Sequence, residues 1–250
     1  MNAILYHGEP NGPSLAVLAA AFETGVQVAL RRIDLAAGER HGGIPGAQAP
    51  ELDYSVEGEG PVLVVDGVAM TDSVFLACYL DDVAGGAILR PADPYARWQV
   101  MAWCRWLVER VAPAAAYLGT AAMPPRTVPV GIANADLAER WEQAVTGRCD
   151  AALLADSRAK TAAGVTRVEA QLADGRDWLF GAIGLADFET YGWLCGMAPL
   201  AAEALVGRPR TAAWLARVKA HPSVARALAL ATVPEPEKVW APGPEINRWG

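Results

Sequence analysis

The residue pattern predicts a mixed α/β N-terminal third followed by an all-helical remainder. Two observations carry this. Short apolar or β-branched runs alternate with helical spacing over roughly the first 80 residues, and strand signals then nearly vanish from Pro94 onward. The composition supports a packed chain: over 250 residues, 53% are hydrophobic and 20% charged, which leaves little room for extensive disorder.

Taken in order, Ile4-Leu5-Tyr6 is a short apolar run, and Gly8 to Pro13 is a loop rich in breakers. Leu15, Leu18, Ala19 and Phe22 recur at helical spacing, with Gly25 as the C-cap. Leu30 to Leu35 reads as a second strand, with Ile33 and Leu35 on one face, before a Gly/Pro-rich loop from Gly38 to Pro50. Val62-Leu63-Val64-Val65 is a β-branched strand, Asp66-Gly67 a hairpin turn, and Val68-Ala69-Met70 the returning strand. Thr71-Asp72-Ser73 supplies capping residues for a helix through Leu80. This βαβ then ββα order is that of a thioredoxin-like half-domain.

Pro94 suits the first turn of a helix, and Trp98, Met101, Trp103, Trp106 and Arg110 ride through it. Ala-rich helical stretches continue to about Leu230, punctuated by Pro124-Pro125, Pro129, Gly175, Pro199 and Pro209. The expected organisation is a thioredoxin-like unit over residues 1–84, a linker over 85–93, an all-helical unit over 94–233 and an irregular tail over 234–250, draped on the surface.

The net charge of −7 and the lack of a basic stripe argue against nucleic acid or an anionic membrane as partner. The N-terminus carries no basic leader with a long apolar stretch, and the apolar runs are too short to span a bilayer, so a cytoplasmic protein is expected. Cys78, Cys104, Cys149 and Cys195 are widely spaced with no CxxC pair, which indicates neither a metal cage nor a dithiol motif.

Four patterns, in order, resemble the glutathione transferase family over roughly residues 4 to 230. They are ILYHGEPNGPSLAVL, with a serine at the helix start; Gly60-Pro61 opening PVLVVDG; Thr71-Asp72-Ser73 before VFLACYLDD; and WLFGAIGLADFETYGWL, followed by LARVKAHPSVARAL. The segment LRPADPYARWQVMAWCRWL and the placing of Ser14-Leu15 look like those of the bacterial β-etherases, which cleave aryl ethers derived from lignin. The resemblance implies a glutathione transferase fold, glutathione as co-substrate, no metal, a hydrophobic aromatic second substrate and a homo- or heterodimer. It further implies a cis peptide bond at Pro61, and an internal cap at Asp187, where Ser or Thr usually stands in place of Gly184.

The chemistry suits these residue types. Ser73 at a helix N-terminus offers a hydroxyl and the positive dipole end to the γ-glutamyl carboxylate, and Asp72 can take the ammonium. Capping alone also accounts for this triplet. Gly60, before Pro61, can pair strand-like with the cysteinyl part of the tripeptide. Ser14 is the candidate for thiol activation, because only a few per cent of a thiol of pKa about 8.5 is ionised at neutral pH. Its rival is Tyr6, placed where tyrosine-type transferases carry their phenol, and Ser14 can equally be a plain N-cap. Arg40 and His41 resemble the loop that holds the glycyl carboxylate. Trp103, Trp106 and Tyr117 offer an aromatic pocket, although a tryptophan stripe at helical spacing is more often core. Pro13 and Gly60 depart from the family pattern and leave room for a different reading, a non-catalytic transferase-like subunit. Dehalogenation and isomerisation are further glutathione reactions open to such a site. Neither the substrate nor its stereochemistry is legible.

Overall fold

In the computed structural model, the described residues are 2–35, 39–41, 44, 60–122, 139, 142, 146, 148–196 and 201–238. The sheet comprises β1 (Ala3–His7), β2 (Ala29–Arg32), β3 (Val62–Val65) and β4 (Val68–Met70) in the order β2-β1-β3-β4. β1 runs parallel to β2 through the crossover helix α1 (Gly12–Thr24), and β3 runs antiparallel to both β1 and β4. Asp66 (φ 49°) and Gly67 (φ 87°) make the tight turn between β3 and β4. The second strand, expected over Leu30 to Leu35, runs from Ala29 and ends at Arg32, after which the N–H of Ile33 still bonds the His7 carbonyl (2.8 Å).

The period-two alternation of β1 divides its side chains between two clusters. Ala3 and Leu5 join the main core under α1, whereas Tyr6 packs with Ile44, Val62 and Val64 in a separate cluster. The helix α1 begins at Gly12, earlier than its apolar spacing indicates, with Asn11 at the N-cap and Gly25 (φ 69°) closing it. After β4 comes α2 (Ser73–Val83), then α3 (Pro94–Trp106), a π-helical turn (Leu107–Val111) and α4 (Ala112–Ala121). Pro113 does not interrupt this helix. A proline inside a helix lacks a donor and crowds the carbonyl four residues back, and the π turn just before it, with Ala112 N–H bonding Leu107 O, absorbs that misfit. Then follow α5 (Ala151–Gln171), α6 (Leu185–Cys195), α7 (Pro209–Ala220) and α8 (Pro222–Leu228). Among the described residues no helix is long and apolar enough to cross a membrane.

Two polar devices fix the assembly. The chain between α2 and α3 is clamped rather than loose. The fully buried Asp81 carboxylate accepts the N–H groups of Ile88 and Leu89 (2.9 and 2.8 Å) and pairs with Arg90 (2.8 Å), whose guanidinium also reaches Asp82. The second device is Asp187 in the first turn of α6. Its carboxylate accepts N–H groups from Leu179 (3.0 Å), Gly184 (3.3 Å) and the Trp214 indole (2.8 Å), while burial pushes its pKa up to about 6. The cap residue itself is glycine for a steric reason. A Cβ on Gly184 would overlap the Leu89 carbonyl oxygen, which accepts the Leu185 N–H (3.0 Å).

Asp187→Ala leaves three buried donors without an acceptor and is expected to cost about 3 kcal/mol or more, read as a fall in the urea midpoint. Gly184→Ser separates propensity from packing. As a better cap it would stabilise by a few tenths of a kcal/mol. The overlap with Leu89 instead predicts a loss of about 1–3 kcal/mol in the same assay.

Candidate functional site

The N-terminus of α2 forms a polar corner. Asp72 is held at φ 76°, ψ 113°, a conformation an L-residue adopts only at a cost of about 1–3 kcal/mol, and one concentrated at functional positions. Its side chain accepts the Phe75 N–H (3.3 Å), and burial raises its pKa against the hydrogen bonds from Phe75 and Val74. Beside it, the Thr71 hydroxyl donates to the Pro61 carbonyl (3.3 Å) and accepts from Arg40 Nη2 (3.2 Å). Arg40 is buried on the 3₁₀ turn Glu39–His41. Three segments far apart in sequence thus meet: Arg40, Pro61 and Thr71 with its neighbours Asp72 and Ser73. Gly60 is buried with Pro61.

Several expectations need correction or fall outside view. No peptide bond among the described residues is cis, the Gly60–Pro61 bond included, so the cis bond implied by the resemblance is not met. Trans is the lower-energy form of an X–Pro bond. The side chain of His41 lies outside the described residues, as does the loop from Gly42 to Pro50 apart from Ile44.

Ser14 lies within the first turn of α1 and is not its N-cap. The hydroxyl oxygen accepts the Gly8 N–H (3.0 Å), which leaves its own proton to be donated. The loop between, Gly8 to Asn11, is tied at each end. Glu9 pairs with Arg32 (2.6 Å) and accepts the Thr232 N–H (3.0 Å) and hydroxyl, which together hold its carboxyl below the usual range although burial opposes this. Asn11 donates Nδ2–H to the Pro236 carbonyl (3.0 Å). His7 is buried, with Nδ1 donating to Gly8 O (2.8 Å), and desolvation lowers its pKa against the Gly8 hydrogen bond. Tyr6, the rival to Ser14, lies with Ile44, Val62 and Val64 in the smaller cluster, apart from the core that takes in α1.

The floor under both helix starts is α6. A Cβ on Gly192 would lie 2.6 Å from Gly12 O, so the start of α1 rests directly on this glycine. One turn earlier, the Glu189 carboxyl is fully buried and faces Ser73 and the Trp193 indole, yet neither oxygen reaches a well-formed hydrogen bond. Burial, with the Asp72 charge adding to it, pushes its pKa up to about 8, against weaker hydrogen bonding from Ser73 and Trp193. Sequence reasoning missed Glu189. The available signal was a second carboxylate, after the cap Asp187, on a helix whose remaining residues from Leu185 to Leu194 are all buried and mostly apolar.

The aromatic candidates do not share one environment. Trp103 is buried, donates its indole N–H to Thr190 (2.9 Å) and stacks edge-on with Phe180. Tyr117 is also buried, its phenol oxygen accepting the Asp150 N–H (3.0 Å). Trp106 is half-buried under the Arg167 guanidinium, 4.0 Å from the ring centre. Among the described residues no three His, Cys, Asp or Glu side chains converge as a metal site.

Sheet order, buried α6 and the strained corner before α2 together define a protein with the glutathione transferase fold. The crystal structure of the β-etherase LigF from Sphingobium sp. strain SYK-6 superposes with a TM-score of 0.79 at 24% identity, over 92% of this chain and 99% of that one. A glutathione transferase from Burkholderia graminis, solved with two glutathione molecules bound per subunit, gives 0.66 at 20% identity, over 93% and 90%. A poplar glutathione transferase gives 0.65 at 19%, over 92% and 98%. By sequence, the chain is 32% identical to the Sphingobium protein LigF over 111 residues, 44% of this chain and 41% of that protein. The match therefore spans about two-fifths of the length of that curated relative. No family model matches the chain.

A buried acid kept protonated contributes stability that is complete at low pH and lost as the pH rises to its folded pKa. For Glu189 that window runs from about 4.5 to about 8. Wild type is expected to lose stability relative to Glu189→Gln across this range, by up to about 1.4 kcal/mol per pH unit, and to run parallel to it above pH 8. Urea melts of both proteins at pH 5, 6, 7, 8 and 9 measure this, and a constant difference would refute the assignment.

Proposed function

We propose that this protein is a glutathione S-transferase whose first unit, residues 1–84, holds glutathione and whose helical unit, residues 94–233, shapes the site for a hydrophobic aromatic second substrate. The linker is 85–93 and the tail 234–250. The observation that carries this is the Arg40–Thr71–Pro61 hydrogen-bond chain beside Asp72 and Ser73, since it joins the segments that a tripeptide with two carboxylates and an amine would engage. Arg40 and His41 take the glycyl carboxylate, the backbone at Gly60 and Pro61 pairs with the cysteinyl part, Asp72 takes the ammonium and Ser73 the γ-glutamyl carboxylate. Ser14 donates its hydroxyl proton to the sulfur and, with the N-terminus of α1, favours the thiolate.

The likeness to LigF points to β-aryl ether ketones as substrates. The thiolate attacks the carbon bearing the aryl ether, a C–S bond forms, the C–O bond breaks and a phenolate leaves. The neighbouring ketone polarises that carbon, so the protein need only orient two partners and supply the thiolate. Trp106 is the aromatic candidate with open surface, while Trp103 and Tyr117 are buried. A dimer is expected. Phe75, Tyr95 and Trp98 are 65%, 66% and 60% exposed, and Tyr95 stacks on Trp98, so these helices carry apolar surface suited to a second chain. The four cysteines are unpaired, as the reducing cytoplasm would keep them.

One observation favours a second reading, a transferase-like subunit that does not turn over substrate. Ser14 and Ser73 are 1% and 0% exposed, so neither hydroxyl presents open surface to glutathione.

Calorimetric titration with glutathione, on wild type and Ser73→Ala, separates the two readings. The transferase reading expects binding by wild type, weakened about tenfold by Ser73→Ala. It also expects cleavage of a β-aryl ether ketone that falls about tenfold or more in Ser14→Ala at unchanged glutathione affinity. Absence of binding by wild type would favour the non-catalytic subunit. Light scattering at micromolar concentration is expected to give a dimer mass, and a monomer mass would refute that part.

A further inference from the structure

The C-terminal segment is bound to the loop that precedes Ser14, and it changes what the start of α1 can offer. Asparagine is among the residues that favour the N-cap most, where its side-chain oxygen accepts an N–H from the first turn. Asn11 occupies that position with extended backbone (φ −143°, ψ 169°), yet its side chain makes no capping hydrogen bond. Its amide is instead turned to the Pro236 carbonyl, 225 residues away, at 3.0 Å. The same segment is anchored on both sides of that contact. Thr232 bonds Glu9 through its N–H and its hydroxyl, and Glu9 is gripped in turn by Arg32. Glu237 is buried and pairs with Lys219, while its carbonyl lies so close to Gly196 that a Cβ there would overlap it. The first turn of α1 has no acidic residue, and Pro13 brings no N–H of its own. The remaining N-terminal donors and the positive end of the helix therefore face no side-chain cap from Asn11.

We infer that residues 232–238 are a positioning element of the thiolate site: by holding the Asn11 amide on Pro236 they keep that side chain off the end of α1, so the helix terminus acts on the glutathione sulfur. This rests on the glutathione reading above. It assigns a role to the tail and to Asn11 that the binding residues do not supply. The tail is far from α1 in sequence, and Asn11 touches the sulfur's environment only through the helix end it leaves open.

The test compares Asn11→Ser with Asn11→Ala. Serine can cap α1 and is too short to keep the bond to Pro236; alanine can do neither. The readout is the ionisation of the bound glutathione thiol, followed by thiolate ultraviolet absorbance against pH, with kcat and KM for glutathione beside it. Asn11→Ser is expected to raise the bound thiol pKa by about half a unit or more, with a roughly threefold loss of kcat near neutral pH and little change in KM. Asn11→Ala is expected to stay near wild type in thiol pKa, although it loses the same contact with Pro236. A chain ending at Ala231 is expected to raise the thiol pKa as Asn11→Ser does, and to leave it unchanged when combined with Asn11→Ala. If the serine and alanine variants behave alike, or if the shortened chain shifts the pKa equally in both backgrounds, the inference is overturned while the glutathione reading stands. If wild type binds no glutathione, both fall.

Discussion

Burial of a single helix, α6, is the constraint on which the rest of the structure depends. From Leu185 to Leu194 every residue is buried, and both helix starts that build the candidate site rest on it. A helix in that position has no solvent to satisfy its terminal N–H groups, so its cap must come from within. Asp187 supplies it, and in doing so it also binds the Leu179 N–H and the Trp214 indole. The same burial explains the glycines. Gly184, Gly192 and Gly196 each face a carbonyl oxygen of another segment, those of Leu89, Gly12 and Glu237. The helix thereby sets the height of the linker, of the start of α1 and of the C-terminal segment.

Electrostatics at the site follow from the same packing. A carboxyl inside such a core is costly as an anion, and among the described residues Glu189 faces Ser73, Trp193 and the Asp72 charge, with no cation. Asp81, also fully buried, sits opposite Arg90 and two N–H donors. The difference between these two acids is one of partners, not of depth. The same argument bears on Glu9, whose charge Arg32 and Thr232 hold in place.

Much of the fold was legible because its signals are local. The β-branched run at Val62 to Val65, the Asp66-Gly67 turn and the Pro94 helix start each express a preference of a few consecutive residues. The residues proposed for the corner stood out for a related reason, because Asp72-Ser73 and Pro61 belong to short patterns that resemble a known family. Elsewhere a long-range contact outweighs a local preference. Asn11 gives up a cap for a carbonyl in the tail, Pro113 sits inside a helix because a π turn makes room, and Trp103 and Tyr117 turn inward to hydrogen-bond partners across the helical layer.

The sequence by itself determined the fold class, the order of elements and the residue types able to meet a peptide with two carboxylates and a thiol. Hydrophobic period, turn residues and caps are nearest-neighbour physics, and they act before any tertiary contact exists. Only the tertiary structure decided that Arg40, Thr71 and Pro61 share a hydrogen-bond chain, that Glu189 stands beneath Ser73, and that the C-terminal segment grips the loop before Ser14. These depend on which backbones can approach closely and which polar groups lose water together. Such outcomes belong to the packed whole, since burial and its compensations are set by residues that lie far apart in the chain.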